Sequence, residues 1–200
     1  MTASEDVEIE QRATLYRGYL RVDRYRLRHR RHDGGWSRVI ERELVERGHG
    51  AALLPYDPAA DAVLLIEQFR VGALAAGLPP WQVEIPAGII DPGETPEAVA
   101  RRETAEEAGA AVDRVEPIGR FLLSSGALSE TIALYCGRID SRGLGGLHGL
   151  AEEDEDIAVA IHPFDAAWRL VESGAVANSF TVIALQWLAL NRAALRQRWR

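Results

Sequence analysis

Apolar and polar residues alternate along the first quarter of the chain, and short continuous apolar runs follow. Strand-like alternation covers residues 14–31 and 36–47, and Gly34-Gly35 marks a turn between the two runs. Residues 1–12 are mostly polar, and we expect them to fray. The pattern therefore predicts a small antiparallel sheet within residues 1–47.

The rest of the chain, residues 48–200, mixes predicted strands and helices without regular alternation. Apolar runs bounded by turn signals predict strands at residues 50–55, 62–70, 81–85, 115–123, 130–139 and 156–162. Helix signals predict helices at residues 95–108, 165–172 and 179–198, and loops at residues 73–80 and 143–149. This order favours an α/β fold with mixed sheets between helices over a doubly wound parallel sheet. We interpret residues 48–200 as one domain.

The helix predicted over residues 95–108 has clear signals at both ends. Thr95 can cap it, Pro96 suits the first helical position, and Gly109 follows its last residue. The last helix has an apolar face at helical spacing, formed by Val182, Leu185, Leu188 and Leu195. We expect this face to pack in the core or in a dimer contact.

Charge and cysteine content argue against several classes of protein. The 200-residue chain carries a net charge of -7, whereas proteins that bind nucleic acid duplexes normally present a basic surface. Its one cysteine, Cys136, cannot form an intrachain disulfide and is expected to be a buried thiol. No stretch approaches the roughly 20 apolar residues of a membrane span, and the acidic N-terminus does not resemble a signal peptide. We expect a cytoplasmic protein with no nucleic acid or membrane partner.

Three glutamates share one face near the end of the helix predicted over residues 95–108. Glu103, Glu106 and Glu107 lie at i, i+3 and i+4, where like charges repel by about 0.2–0.5 kcal/mol per pair. The helix dipole also disfavours anions in the last turns. A hard divalent cation would remove this cost, because it binds carboxylate oxygens. Considered alone, however, such a cluster of charges is more often a solvated helix face than a metal site.

These glutamates belong to a longer pattern of fixed spacing. Its defined positions are Gly88, Glu94, Arg102, Glu103, Glu106, Glu107 and Gly109. The pattern resembles G-x5-E-x7-R-E-U-x-E-E-x-G-U, the motif of the Nudix hydrolase family. Thr104 and Ala110 stand at the aliphatic positions, where we expect them to affect packing and not chemistry.

The likeness extends from Thr14 to the end of the chain. Residues 66–70, 148–157 and 182–188 resemble segments of the bacterial ADP-ribose pyrophosphatases within the Nudix family. The resemblance implies an α/β/α sandwich preceded by an N-terminal antiparallel sheet, and a homodimer in which that sheet is exchanged. It also implies hydrolysis of the pyrophosphate of ADP-ribose to AMP and ribose 5-phosphate.

The same resemblance assigns roles to the acidic residues. It implies Mg²⁺, with Mn²⁺ as a substitute, held by the carboxylates of Glu103, Glu107 and Glu155 and by the backbone carbonyl of Ala87. Glu106 would bind a second metal or bind through water, and Glu153 would be the general base. A water activated by the metal or by a glutamate would then attack one phosphorus without a covalent enzyme intermediate.

Further residues match substrate-binding positions of the family. Arg70 matches a phosphate-binding arginine, although a surface residue at a strand end is the alternative. Arg42, Glu43 and Arg47 match positions that approach the nucleotide, partly across the dimer. The other predicted contacts, around the adenine, the terminal ribose and a neighbouring loop, are Tyr19, Leu20, Ile89, Ser124, Ser125, Gly126 and Glu130.

Ser125 departs from the family pattern, which usually has a proline at this place. The substrate therefore stays open between ADP-ribose and another nucleotide sugar, such as GDP-mannose or ADP-glucose. A nucleotide-sensing Nudix module without catalysis is a third interpretation. Such sensors typically lose glutamates of the motif, whereas this chain has all of them.

Overall fold

The structure, a computed structural model, describes residues 5–149 and 154–199. Within these ranges the strands are β1 (Val7–Arg17), β2 (Arg21–His29), β3 (Ile40–Glu46), β4 (Gly50–Asp57), β5 (Ala62–Phe69), β6 (Trp81–Glu84), β7 (Ala87–Ile89), β8 (Arg114–Leu122), β9 (Thr131–Arg138), β10 (Gly146–His148) and β11 (Ile157–Pro163). The helices are α1 (Val71–Ala75), α2 (Pro96–Ala108), α3 (Phe164–Glu172) and α4 (Ser179–Arg198). The chain divides into two compact units.

The first unit comprises the chain up to His49 together with Leu122–Thr131. Its sheet is antiparallel in the order β1-β2-β3, as predicted. The prediction of fraying is wrong from Val7 onward, because Val7 already pairs with His29 and β1 continues to Arg17. Polar composition was misleading here, since the side chains of β1 pair across strands: Arg28 donates two hydrogen bonds to Glu8, at 2.6 and 2.8 Å.

The second unit comprises Gly50–Phe121 and Ile132–Arg200 and contains the large mixed sheet. Its strand order is β10-β11-β5-β4-β9-β8, with β6 paired to β5 and β7 paired to β4. β4 runs parallel to β9 and antiparallel to β5 and β7. Every residue of β4 is buried, as expected for a strand covered on both faces.

Helices cover the two faces of this sheet. On one face, Ala51 and Leu53 of β4 pack with Val99 and Ala100 of α2 in one apolar cluster. Alternate residues of β4 point to the other face, where α4 contacts β4 and α3 contacts β5 and β11. The α/β/α sandwich with mixed sheets and a small N-terminal sheet is therefore confirmed.

The end signals of α2 are confirmed. Thr95 Oγ1 accepts a hydrogen bond from Ala98 N at 3.3 Å, and Gly109 has a φ of 62°, which favours glycine. In α4, Leu185, Leu188 and Leu195 are fully buried, so the predicted apolar face belongs to the core of the unit.

Two predicted loops contain short regular elements, and these predictions were wrong in part. The loop over residues 73–80 overlaps the end of α1, and the glycine-rich loop over residues 143–149 contains β10, which pairs with β11. Elements this short depend on their neighbours rather than on periodicity. Cys136 is buried and free, as expected. None of the described helices is long and apolar enough to cross a membrane.

Candidate active site

Gly88 and Glu103, which are fixed positions of the motif, lie in direct contact. A Cβ atom added to Gly88 would lie 1.9 Å from Glu103 Oε1 and 2.1 Å from its carboxyl carbon. A glycine is therefore required for the Glu103 carboxylate to rest against the backbone of β7. This contact holds the carboxylate of α2 at the edge of the sheet, beside Ala87.

Glu107, one turn further along α2, points into the same region. Its Oε2 accepts a hydrogen bond from Ala87 N at 3.0 Å, and only 4% of the residue is exposed. Burial, with further contributions from Glu103 and Glu155, raises the pKa of Glu107 to about 8. Burial also raises the pKa of Glu103, although Arg102 opposes the change. Such perturbed carboxylates are typical of functional sites.

Arg102 links the remaining acidic residues of the motif. Its Nη1 lies 2.9 Å from Glu103 Oε1 and donates to Glu106 Oε2 at 2.9 Å. Its Nε donates to Glu94 Oε1 at 3.3 Å, so one guanidinium contacts three carboxylates of the motif. Burial alone would lower the pKa of Arg102, but the three carboxylates raise it. Arg102 therefore keeps its positive charge and holds the carboxylates of Glu94, Glu103 and Glu106 around its guanidinium.

Glu103, Glu107 and Glu155 form what we call the carboxylate cluster. Its oxygen donors fit a hard divalent cation. The carboxylates of Glu103, Glu107 and Glu155 interact electrostatically, and two of them are desolvated, so a cation would offset both costs. In residues 5–149 and 154–199, however, no three histidine, cysteine, aspartate or glutamate side chains are grouped tightly enough to form a complete metal site.

We expect the stability of the metal-free protein to fall as pH rises, because of Glu107. Its pKa is raised on folding, so its contribution is fully present below the unfolded pKa of about 4.5 and is lost as pH rises through about 8. In EDTA, Tm should drop by a few degrees between about pH 6 and about pH 9, and Mg²⁺ should restore more at the higher pH. Glu107→Gln should reduce this pH dependence, whereas Glu97→Gln, on the exposed side of α2, should not. Equal pH dependence in wild type and Glu107→Gln would contradict the assignment.

Arg70 and Ile89, two predicted substrate contacts, lie in the same unit as the motif. Arg70 directly follows β5, and its charge lowers the pKa of Glu107, which places it near the carboxylate cluster. Ile89 is exposed at the end of β7, one residue after Gly88. Arg70 is also ion-paired with Glu84, at 2.8 Å, a residue that the sequence analysis did not identify.

The other predicted substrate contacts lie in the first unit. Arg47 Nε is 3.5 Å from Glu130 Oε2, so the structure brings these two residues together. Their segments are joined by hydrogen bonds, from Val45 N to Ala127 O and from Ser129 N to Val45 O. Ser124, Ser125 and Gly126 directly precede Ala127, in the loop between β8 and β9.

The remaining residues of this group lie on or beside the small sheet. Arg42 and Glu43 are exposed on β3. Tyr19 and Leu20 form part of the turn between β1 and β2, where Tyr19 is 84% exposed. The predicted general base, Glu153, lies outside the described residues.

Comparison with known proteins identifies the family. A model of the NUDIX domain matches residues 46–197. An ADP-ribose pyrophosphatase from Escherichia coli (strain K12) is 48% identical over 194 residues, which cover 97% of this chain and 93% of that protein. A GDP-mannose pyrophosphatase from Cronobacter sakazakii is 36% identical over 151 residues, covering 75% of this chain and 78% of that protein.

A solved structure supports the fold independently. The crystal structure of an ADP compounds hydrolase has a TM-score of 0.71 with this chain at 20% identity, and the match covers 99% of this chain and 98% of that one. The expected family resemblance is thereby confirmed at the level of sequence and of fold. The chain belongs to the NUDIX domain family.

Proposed function

We propose that this protein hydrolyses the pyrophosphate of ADP-ribose, yielding AMP and ribose 5-phosphate, with Mg²⁺ as its cofactor. The observation that carries the proposal is the pair of desolvated carboxylates, Glu103 against Gly88 and Glu107 on the backbone amide of Ala87. Holding two such groups together is costly, and a bound cation offsets that cost. The relative from Escherichia coli, which matches nearly the whole chain, supports ADP-ribose as the substrate.

In this proposal, the residues of the motif hold the metal. Glu103, Glu107, Glu155 and the carbonyl of Ala87 would bind Mg²⁺, with Glu106 as a further or water-mediated ligand. When bound, the metal supplies charge neutralisation at the pyrophosphate oxygens and a more acidic water. Mn²⁺, a cation with similar ligand preference, would substitute for it.

Protein side chains then position the reactants. Glu153 would accept the proton of the attacking water, and Arg70 would bind a phosphate oxygen. The residues that would bind the adenosine and the terminal ribose are Tyr19, Leu20, Arg42, Glu43, Arg47, Ser124, Ser125, Gly126 and Glu130. Ile89 would contact the substrate from the end of β7.

We also propose that the protein is a cytoplasmic homodimer in which residues 1–47 are exchanged. The small sheet exposes several apolar side chains, including Ile9, Leu15 and Tyr16, which a partner subunit would cover. Such an exchange would bring Arg42 and Glu43 to the partner's substrate, while residues 48–200 carry the catalytic groups.

GDP-mannose is the second candidate substrate. The relative from Cronobacter sakazakii supports it, although its match covers less of this chain and at lower identity. Ser125 also stands where ADP-ribose hydrolases of the family usually have proline. Both substrates would use the same metal cluster, so the difference lies in recognition of the base and sugar.

The substrate assignment is tested by steady-state hydrolysis of ADP-ribose, GDP-mannose and ADP-glucose by the purified protein in Mg²⁺. We expect kcat/KM for ADP-ribose to exceed the others by roughly tenfold or more. A higher value for GDP-mannose would keep the chemistry and change the substrate. Binding of these compounds without turnover would instead favour a nucleotide-sensing module.

A further inference from the structure

The carboxylate of Glu84 is buried and accepts hydrogen bonds on both oxygens, although Glu84 is not part of the motif. Its side chain, on β6, is 4% exposed. Oε2 accepts hydrogen bonds from Arg70 Nε at 3.1 Å and Nη2 at 2.8 Å, with Gln68 Nε2 at 3.5 Å. Oε1 accepts from Asn178 Nδ2 at 3.0 Å. Each oxygen of this carboxylate therefore fixes a different part of the fold.

Asn178 connects Glu84 to the start of α4. Its Oδ1 caps the helix by accepting from Thr181 N at 3.0 Å and from Thr181 Oγ1 at 3.1 Å. The same Thr181 hydroxyl accepts from Ile85 N at 3.2 Å, and Thr181 is fully buried. The first turn of α4 and its cap thus hydrogen-bond to Glu84 and Ile85, at the end of β6 and shortly before Ala87.

This network places the guanidinium of Arg70. The side chain of Arg70 is 42% exposed, so without a partner it could adopt many rotamers. Glu84 holds it by its Nε–Nη2 edge, and this pairing does not use Nη1. A guanidinium held at one edge is organised in advance to bind an anion, which lowers the entropic cost of binding.

We propose that Glu84 and Asn178 are positioning residues for the substrate, which hold Arg70 in place to bind the pyrophosphate beside the carboxylate cluster. This inference rests on the proposed function, because it requires that Arg70 meets a nucleoside diphosphate. It adds two residues from β6 and from the N-terminus of α4 to the site. Neither residue touches the substrate, and both act through Arg70.

The variant Glu84→Gln tests the proposal, because it keeps the volume and removes the charge. We expect KM for ADP-ribose to rise roughly tenfold while kcat changes much less, and the Kd for ADP-ribose in EDTA to rise in parallel. Asn178→Ser keeps an N-cap oxygen and removes the amide donor, so a smaller rise in the same direction is expected. If Glu84→Gln does not fold, Asn178→Ser still tests the proposal.

A matched control separates positioning from stability. Asp61 accepts hydrogen bonds from Arg192 and Arg196 in the same unit, away from the motif, and Asp61→Asn should lower Tm without changing KM. In an Arg70→Ala background, Glu84→Gln should change KM by less than about twofold, because Glu84 affects the substrate only through the side chain of Arg70. An unchanged KM in Glu84→Gln, or an undiminished effect in the Arg70→Ala background, would overturn the proposal. If wild type neither binds nor cleaves ADP-ribose, the proposed function itself fails, and this inference fails with it.

Discussion

Replacing Glu103 by glutamine should lower kcat/KM for ADP-ribose by roughly 1,000-fold, because a ligand charge for the metal is lost at constant side-chain volume. The fold should be retained. Burial raises the pKa of Glu103, so the charged carboxylate destabilises the metal-free protein, and the neutral amide should leave its Tm unchanged or higher. The rate and the thermal unfolding curve in EDTA measure the two effects separately.

The matched control is Glu97→Gln on the same helix. Glu97 lies in the first turn of α2, where it accepts hydrogen bonds from Arg101 at the surface. We expect its loss to leave turnover essentially unchanged. A full rate in Glu103→Gln, or an equal loss in both variants, would remove the metal role of the glutamates in the motif.

Gly88→Ala should reduce turnover by roughly 100-fold, through displacement of the Glu103 carboxylate. The added methyl group would occupy the space of Glu103 Oε1, Cδ and Cγ. The side chain of Glu103 is flexible and can move away, so the loss of stability should be smaller than the loss of activity. A titration of Mg²⁺ during turnover should show a weaker apparent affinity than that of wild type.

Gly72→Ala provides the comparison for this variant. A Cβ atom at Gly72 would have no heavy atom within 4 Å, so an alanine there meets open space. Its turnover and Mg²⁺ dependence should equal those of wild type. If Gly88→Ala behaves in the same way, then the contact between Gly88 and Glu103 does not position the carboxylate.

The local features of the site could be predicted from the sequence because they depend on residues close together along the chain. The ends of α2 follow from Thr95, Pro96 and Gly109, and the shared face of the glutamates follows from helical spacing. The motif spacing also brings Gly88 to the glutamates. The contact that requires glycine at position 88, with the side chain of Glu103, is visible only in the folded structure.

The long-range features could not be predicted in this way. Glu84 meets Asn178 across 94 positions of the chain, and the pairing of β4 with β9 is equally non-local. In the sequence, Glu84 is one more polar residue of a short predicted strand. Its role depends on burial and on its contacts with Arg70 and Asn178, which the pattern of the sequence does not show.

The most direct measurement of the central claim is product analysis of ADP-ribose hydrolysis by the purified wild-type protein, with Mg²⁺ and with EDTA. The account predicts AMP and ribose 5-phosphate in equal amounts with Mg²⁺, and no turnover in EDTA. Turnover that persists in EDTA would contradict the metal role of Glu103 and Glu107. Absence of AMP under both conditions would contradict the proposed reaction.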